Sequence, residues 1–233
     1  DFVTVHILPY WEDQPQPIER AIDHTQNVMN LLASTFKKPI LIGETGWPSV
    51  GRQREGAEPS ALNQAFYMRS FLKVADEKHW NYNLIEAFDQ PWKRGLEGTV
   101  GGYWGIFDTD LKPKFPFLGD MAEKHDGKSA IYAGLIGSLL FLAWALILNS
   151  RTKSQMFSLA LLGALAGIST LIQSEYLLAA CRTKNEWLAL GGLALLGLVC
   201  LFSIPAYVFK ANITAKKLTQ ISLGIILLAA FSA

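Results

Sequence analysis

Glu44 has the setting in this chain best suited to covalent or acid–base chemistry. It ends the short apolar run at residues 40–42, just past Gly43, and is followed by Thr45, Gly46, Trp47, Pro48 and Ser49. A carboxylate at a strand end can attack an electrophilic carbon or take up a proton. Trp47 beside it offers a flat apolar face of the kind that packs on the C–H face of a sugar ring, and Gly46 and Pro48 shape the turn around it. A glutamate in this position also commonly caps the next helix or pairs with an arginine. Two further groups stand near other strand ends. His6, Tyr10 and Trp11 close an upstream run, while Asp89, Trp92, Lys93 and Glu97 follow a downstream one. A lysine among carboxylates near a nucleophilic glutamate would hold it ionised and bond to sugar hydroxyls, and by spacing alone it reads as a surface ion pair. His6 taken alone reads as a packed core residue.

Positioning these groups requires alternating strands and helices. Residues 2–8, reading FVTVHIL, form a strand closed by Pro9, Tyr10 and Trp11. Pro17 opens a helix in which Ile18, Ile22, Val28, Met29, Leu32 and Phe36 recur at helical spacing, so that one face packs on a sheet. Lys37 and Lys38 end it. The Glu44 strand comes next, then a polar loop over 50–59 whose Arg52 and Arg54 read equally as groove residues and as solvated charge. Ser60 caps a second helix that begins with Leu62, Phe66, Arg69 and Leu72. Residues 83–88 are predicted as another strand, and Phe115, Phe117 and Leu118 are expected to pack the end of this region.

Composition divides the chain near Gly127. Overall it is 50% hydrophobic and 18% charged with a net charge of +1, but the charged residues crowd the first half. Four apolar segments follow, at about 130–148, 156–180, 187–209 and 218–233, and the first three are long enough for the roughly 20-residue span of a membrane helix. Gly163, Ala164 and Gly167 in the second and Gly191, Gly192 and Gly197 in the third permit close helix packing. Glu175 lies near a segment end, which suits an interfacial side chain. The expected division is therefore 1–120, a linker at 121–129, and a helical membrane region at 130–233. Both cysteines, Cys181 and Cys200, lie in apolar segments and read as small hydrophobes. The four histidines are not at ligand spacing, and there is neither a phosphate-cradling glycine loop nor a basic stripe. No metal, no cofactor and no nucleic-acid partner is expected. The first residue is Asp1, and the opening residues already read as a strand, so the chain is taken as a piece of a longer protein.

The string LIGETGWPS around Glu44 resembles the nucleophile signature of glycoside hydrolase family 17, the β-1,3-glucanases and glucan transglycosylases. His6, Pro9 and Tyr10 resemble a stretch that precedes the nucleophile strand in that family. Asn63, Ala65 and Tyr67 resemble its next helix. Phe88, Asp89, Lys93, Glu97 and Gly105-Ile106-Phe107 resemble its closing strand, with Gln90 where the family usually has Glu. The resemblance covers roughly residues 1–117 and implies an α/β fold, the C-terminal three strands of a (β/α)8 TIM barrel, which the apolar segments extend with about four expected transmembrane helices. A complete barrel takes roughly 250 residues, so this is about half of one. It implies a retaining mechanism with Glu44 as nucleophile, and His6, Tyr10, Trp47, Asp89, Trp92, Lys93 and Glu97 as sugar-binding residues. The general acid, which the family carries on its fourth strand, would lie upstream of Asp1.

On this resemblance the protein is expected to act as a glycoside hydrolase or transglycosylase on β-1,3-linked glucan at the bacterial inner membrane. The alternative is a non-catalytic glucan-binding or export subunit. The expected partners are β-glucan, the lipid bilayer and a glycosyltransferase (synthase) domain or subunit. The loops after the first and third apolar segments carry Arg151, Lys153, Lys210, Lys216 and Lys217, against Arg182 and Lys184 after the second. Basic loops stay cytoplasmic, so this asymmetry places the Glu44 region in the periplasm, although Lys124 and Lys128 before the first segment count the other way.

Overall fold

The computed structural model describes residues 1–122, 127–147, 152–210 and 212–231, and divides the chain into two compact units, Asp1–Lys124 and His125–Ala233. Part of the expected linker, together with Lys124, Leu148 and Arg151, lies outside the described residues.

The first unit is built on a three-stranded parallel sheet in the order β1 (Val3–His6), β2 (Ile40–Thr45), β3 (Asn81–Leu84). Helix α1 (Ile18–Thr35) joins the first pair and α2 (Ala61–Glu77) the second, as parallel neighbours require a crossover. Val3, Thr4 and Val5 pair with Ile40, Leu41 and Ile42, and the register then shifts so that His6 pairs with Glu44. Gly43 is the residue skipped. A Cβ there would stand 2.7 Å from Thr4 Cγ2 and 3.2 Å from His6 Nε2, so the close approach of β1 depends on glycine.

Both helices bury faces centred on other residues than the periodicity suggests. On α1, Ala21, Thr25 and Met29 are buried, Ile18, Ile22, Val28 and Leu32 flank them, and Phe36 stays 42% exposed. On α2 the buried set is Gln64, Ala65, Tyr67, Met68, Phe71 and Ala75, while Phe66 is half exposed. Buried Gln64 explains the shift of face: its amide donates to the carbonyls of Trp104 and Gly105, which makes a polar residue a core residue. Ser60 caps α2 as expected, its Oγ accepting from the Asn63 amide at 3.0 Å.

The expected strand at 83–88 is split. The sheet ends at Leu84, Ile85 N still donates to Thr45 O, and the chain then pairs with 104–107 through Glu86 N to Trp104 O, Ile106 N to Glu86 O and Asp89 N to Phe107 O. A 3-10 turn (Pro91–Lys93) and the four-residue α3 (Arg94–Glu97) follow. Phe115 is buried and Phe117, though 45% exposed, meets its ring at 5.5 Å, whereas Leu118 is 88% exposed and does not pack there.

The second unit consists of α4 (Lys128–Ile147), α5 (Lys153–Ala180), α6 (Lys184–Lys210) and α7 (Ile213–Phe231), all long and apolar enough to cross a membrane. Three of them begin at a lysine, ahead of the apolar run. Thr152 caps α5, and at the start of α6 Thr183 and Glu186 satisfy each other's backbone amides in a capping box. Helices α4 and α5 meet through Gly137, Gly163 and Gly167. A Cβ at Gly137 would collide with the Gly163 carbonyl, and one at Gly167 with that of Ala133. Gly191, Gly192 and Gly197 of α6 have no neighbour where a Cβ would stand, so the close packing expected there is not made among the described residues.

Candidate active site

The ends of β1 and β2 bring the first two groups together. Because His6 is the register partner of Glu44, both side chains leave adjacent strands side by side, and His6 Nδ1 lies 3.0 Å from Glu44 Oε2. Glu44 remains 44% exposed. It opens into a cleft of about 550 Å³ whose walls include Trp11, Glu86, Lys93, Glu97 and Trp104. The cleft therefore combines three carboxylates, one lysine and two indoles, a lining suited to a polyhydroxylated ligand with an apolar face.

The loop expected to build a groove supports this wall. Arg54 donates to the carbonyl of Tyr10 at 2.9 Å, and its guanidinium stands 5.1 Å from the centre of the Trp11 ring.

Five of the residues singled out from the sequence, Glu44, His6, Trp11, Lys93 and Glu97, come together at or beside the cleft. The other four do not. Trp47 is fully buried, with its indole N–H donating to Glu58 O at 3.0 Å, so neither ring face is open to a sugar. Tyr10 is 2% exposed and its hydroxyl donates to Arg52 O at 2.6 Å; burial pushes that hydroxyl up to about 12 against the pull of Arg54 and Arg52. Trp92 is 65% exposed and is not among the cleft walls. Asp89 faces inward, away from solvent: its Oδ1 accepts from Lys114 Nζ at 2.7 Å and from Gly105 N at 2.9 Å, in a pair whose side chains are 8% and 9% exposed. Burial raises the Asp89 carboxyl and lowers the Lys114 ammonium, in both cases outweighing the partner.

The carboxylate that reaches the cleft from this segment is Glu86, which the sequence reading passed over. Its Oε2 accepts from Lys93 Nζ at 2.7 Å and from the Gln90 side-chain amide, and its Oε1 is buried without a partner among the described residues. A signal was present: Glu86 interrupts the apolar run from Leu84 to Phe88, and an acid in such a run must be paired or functional. Trp104 joins the cleft wall from the segment that pairs with Glu86, its carbonyl accepting from Glu86 N at 3.0 Å. Among the described residues, no group of three His, Cys, Asp or Glu is placed to hold a metal ion.

A family model described as the BtgE/BtgC glycoside hydrolase domain matches residues 1–105. The glucan 1,3-beta-glucosidase of Saccharomyces cerevisiae is 30% identical over 126 residues, covering 49% of this chain and 39% of that protein. The glucan 1,3-beta-glucosidase of Arthroderma benhamiae is 36% identical over 85 residues, covering 33% of this chain and 27% of that one. A probable family 17 glucosidase of S. cerevisiae is 36% identical over 74 residues, with 32% and 18% covered. Among solved structures, a glycoside hydrolase family 17 β-1,3-glucanosyltransferase from Rhizomucor miehei is similar at 27% identity and a TM-score of 0.45, over 51% of this chain and 42% of that one. The chain spans less than half the length of these curated relatives. Within that span, residues 1–105 are similar to a glycoside hydrolase domain, and the relatives they match include a probable family 17 glucosidase.

Proposed function

We propose that this protein acts on β-1,3-linked glucan as a retaining glycoside hydrolase or transglycosylase, with Glu44 as the nucleophile. The observation that carries the reading is the placement of Glu44: a half-exposed carboxylate at a strand end, 3.0 Å from His6 Nδ1 and open to a cleft whose walls include two indoles. Its carboxylate would attack the anomeric carbon to form a glycosyl-enzyme. A second carboxyl about 5 to 5.5 Å away would protonate the leaving oxygen and then activate the acceptor. That group is assigned to a part of the protein outside residues 1–233. Water as acceptor gives hydrolysis, and a glucan hydroxyl gives chain transfer.

In this reading residues 1–120 contribute three strands to a (β/α)8 barrel, β2 being the seventh, with 121–129 as linker. The four apolar helices of 130–233 anchor the domain in a bacterial inner membrane with Glu44 on the periplasmic side, where an exported glucan emerges beside a synthase domain or subunit. The four apolar helices and the loop charge support the membrane anchor and its orientation, while the relatives described above are fungal.

The test is turnover of laminarin oligosaccharides by the intact protein. Glu44→Ala is expected to abolish turnover without unfolding the protein, and added formate or azide to restore part of it by occupying the vacated space. Lys93→Ala is expected to cost less, on the order of 10²-fold, as for loss of a positioning group. Residues 1–233 alone are expected to give no turnover. Undiminished activity in Glu44→Ala would remove the nucleophile assignment, and binding without turnover by the intact wild type would leave a glucan-binding or export subunit.

A further inference from the structure

The second unit carries a groove to which the glucan chemistry gives no task. It lies between α4, α6 and α7, has a volume of about 650 Å³, and its walls include Trp144, Leu195, Val199, Phe202, Ala206 and Leu218. Leu195, Val199, Phe202 and Leu218 each leave more than a third of their surface open, so the walls can be reached. Along α6 the wall from Leu195 to Ala206 covers about 16 Å at 1.5 Å per residue, close to the depth of one leaflet of a hydrocarbon core about 30 Å thick.

The groove ends on Asn212 and Thr214, at the turn between α6 and α7. Charge at this end is of one sign. Lys210 closes α6 one helical turn past Ala206, and Lys217 stands one turn along α7 from Thr214, so that both flank the groove and both are exposed. Lys216 adds a third cation, 5.7 Å from the Tyr207 ring. The acidic residues of 127–233 are Glu175, near the end of α5, and Glu186, at the start of α6, so both belong to the opposite end of α6 from Lys210. Lys216 and Lys217 also lie in the first turns of α7, where the positive end of the helix dipole disfavours a cation and no acidic residue offsets it. An exposed apolar groove that ends among unneutralised lysines is complementary to an anion joined to a long apolar chain.

We propose that this groove binds one anionic phospholipid, an acyl chain lying along Leu195, Val199, Phe202 and Leu218 and the phosphate held by Lys210 and Lys217. The inference rests on the membrane-anchored reading above and names the class of lipid that the helices select. Loop charge puts the basic turn on the cytoplasmic side, where anionic headgroups attract lysines next to a membrane helix. A zwitterionic phospholipid brings an ammonium beside its phosphate and gains less from the same lysines. A free phosphate lacks the chain that the apolar walls remove from water, so the ligand is the whole lipid.

The experiment is native mass spectrometry of the intact protein released from an uncharged detergent, with phosphatidylglycerol or phosphatidylcholine of identical acyl chains added in increasing amounts. One phosphatidylglycerol per chain is expected to bind at least about tenfold tighter than phosphatidylcholine. Lys210→Ala together with Lys217→Ala is expected to weaken phosphatidylglycerol by about twenty-five-fold, about fivefold per lysine, and to change phosphatidylcholine by less than about twofold. Val199→Trp fills the groove and is expected to abolish the tight site, with Leu195→Trp repeating the test from the end away from the lysines. Lys128→Ala with Lys184→Ala, at other helix starts, is expected to change neither lipid, and thermal unfolding of each variant in detergent is recorded alongside. Equal binding of the two lipids means annular lipid only and overturns the inference, as does phosphatidylglycerol binding that survives both the lysine pair and the filled groove. A lipid-free dimer broken by Val199→Trp assigns the groove to a second copy and overturns it as well, and so does displacement of the lipid by equimolar glycerol phosphate, which would mark a free-anion site. Release of the protein from the membrane fraction by an alkaline wash overturns the membrane reading and this inference with it, and leaves the glucan reading untouched.

Discussion

Two carboxylates three residues apart, Glu86 and Asp89, separate the chemistry of this unit from its architecture. Glu86 lines the cleft, while Asp89 is buried against Lys114 and the Gly105 amide. Removing one member of a buried pair leaves the other charge desolvated, so Asp89→Asn is expected to destabilise the first unit by about 3–5 kcal/mol, read by denaturant unfolding. The joint change Asp89→Leu with Lys114→Met removes both charges and is expected to cost much less. The tryptophans divide in the same way. Trp47→Ala empties a fully buried site and is expected to cost about 3–5 kcal/mol. Trp11, 40% exposed at the cleft, is expected to cost within about 1 kcal/mol of stability when changed to alanine and to weaken laminaritriose binding instead. Equal stability losses at Trp47 and Trp11 would contradict this division.

At the level of elements, the contact between α1, β2 and α2 passes through one buried phenol. The Tyr67 hydroxyl lies 2.6 Å from Thr45 Oγ1 and 3.3 Å from Thr25 Oγ1, and burial pushes it up to about 12 from 10.0, although both hydroxyl contacts pull it down. A group whose folded-state value is raised keeps its contribution below the unfolded value and loses it as pH climbs toward the folded one. The first unit is therefore expected to lose about 2 kcal/mol per such tyrosine between pH 10 and about 12, and Tyr67→Phe to flatten part of that slope in denaturant titrations. In the second unit the element contact is glycine-mediated. Gly163→Leu is expected to force α4 and α5 apart and lower the melting temperature in detergent, by the equivalent of about 1–3 kcal/mol for overpacking. The same change at Gly192 meets open space and is expected to leave melting unchanged.

For the molecule as a whole, the testable quantity is the side of the membrane on which Glu44 would lie in the proposed membrane-anchored arrangement. The basic residues after the third apolar segment are distributed differently from a simple loop: α6 ends at Lys210, and Lys216 and Lys217 already lie in the first turns of α7, with Lys216 Nζ 5.7 Å from the Tyr207 ring. They still lie within the short flank over which loop charge orients a helix. Ser49, a natural site for a reporter cysteine by sequence, is 6% exposed and donates to Tyr103 O, so Lys73 on the open face of α2 serves better. In a background lacking Cys181 and Cys200, a membrane-impermeant thiol reagent applied to intact cells is expected to label Lys73→Cys and spare Ser154→Cys. The opposite pattern would place the Glu44 unit in the cytoplasm.

What the sequence determined by itself is local. The run before Glu44, the Ser60 cap and the four apolar helices are legible because each depends on the period or composition of a few adjacent residues. The pairing of His6 with Glu44 was partly legible, since parallel strands joined by one helix carry their ends to the same edge of a sheet. Which side chains face the cleft was not. After Leu84 the chain leaves the ladder of β2 and pairs with residues 104–107, some twenty positions ahead, and no local pattern encodes that partner. That long-range pairing accompanies the separation of Glu86, which reaches the cleft, from Asp89, which is buried against Lys114. Burial of Trp47 and Tyr10 likewise follows from packing among distant aromatic rings: the Tyr10 ring meets those of Trp47 and Trp104 edge to face. Residue type announces that an indole or a phenol can stack on a sugar, but only the surrounding chain decides whether its face remains open to one.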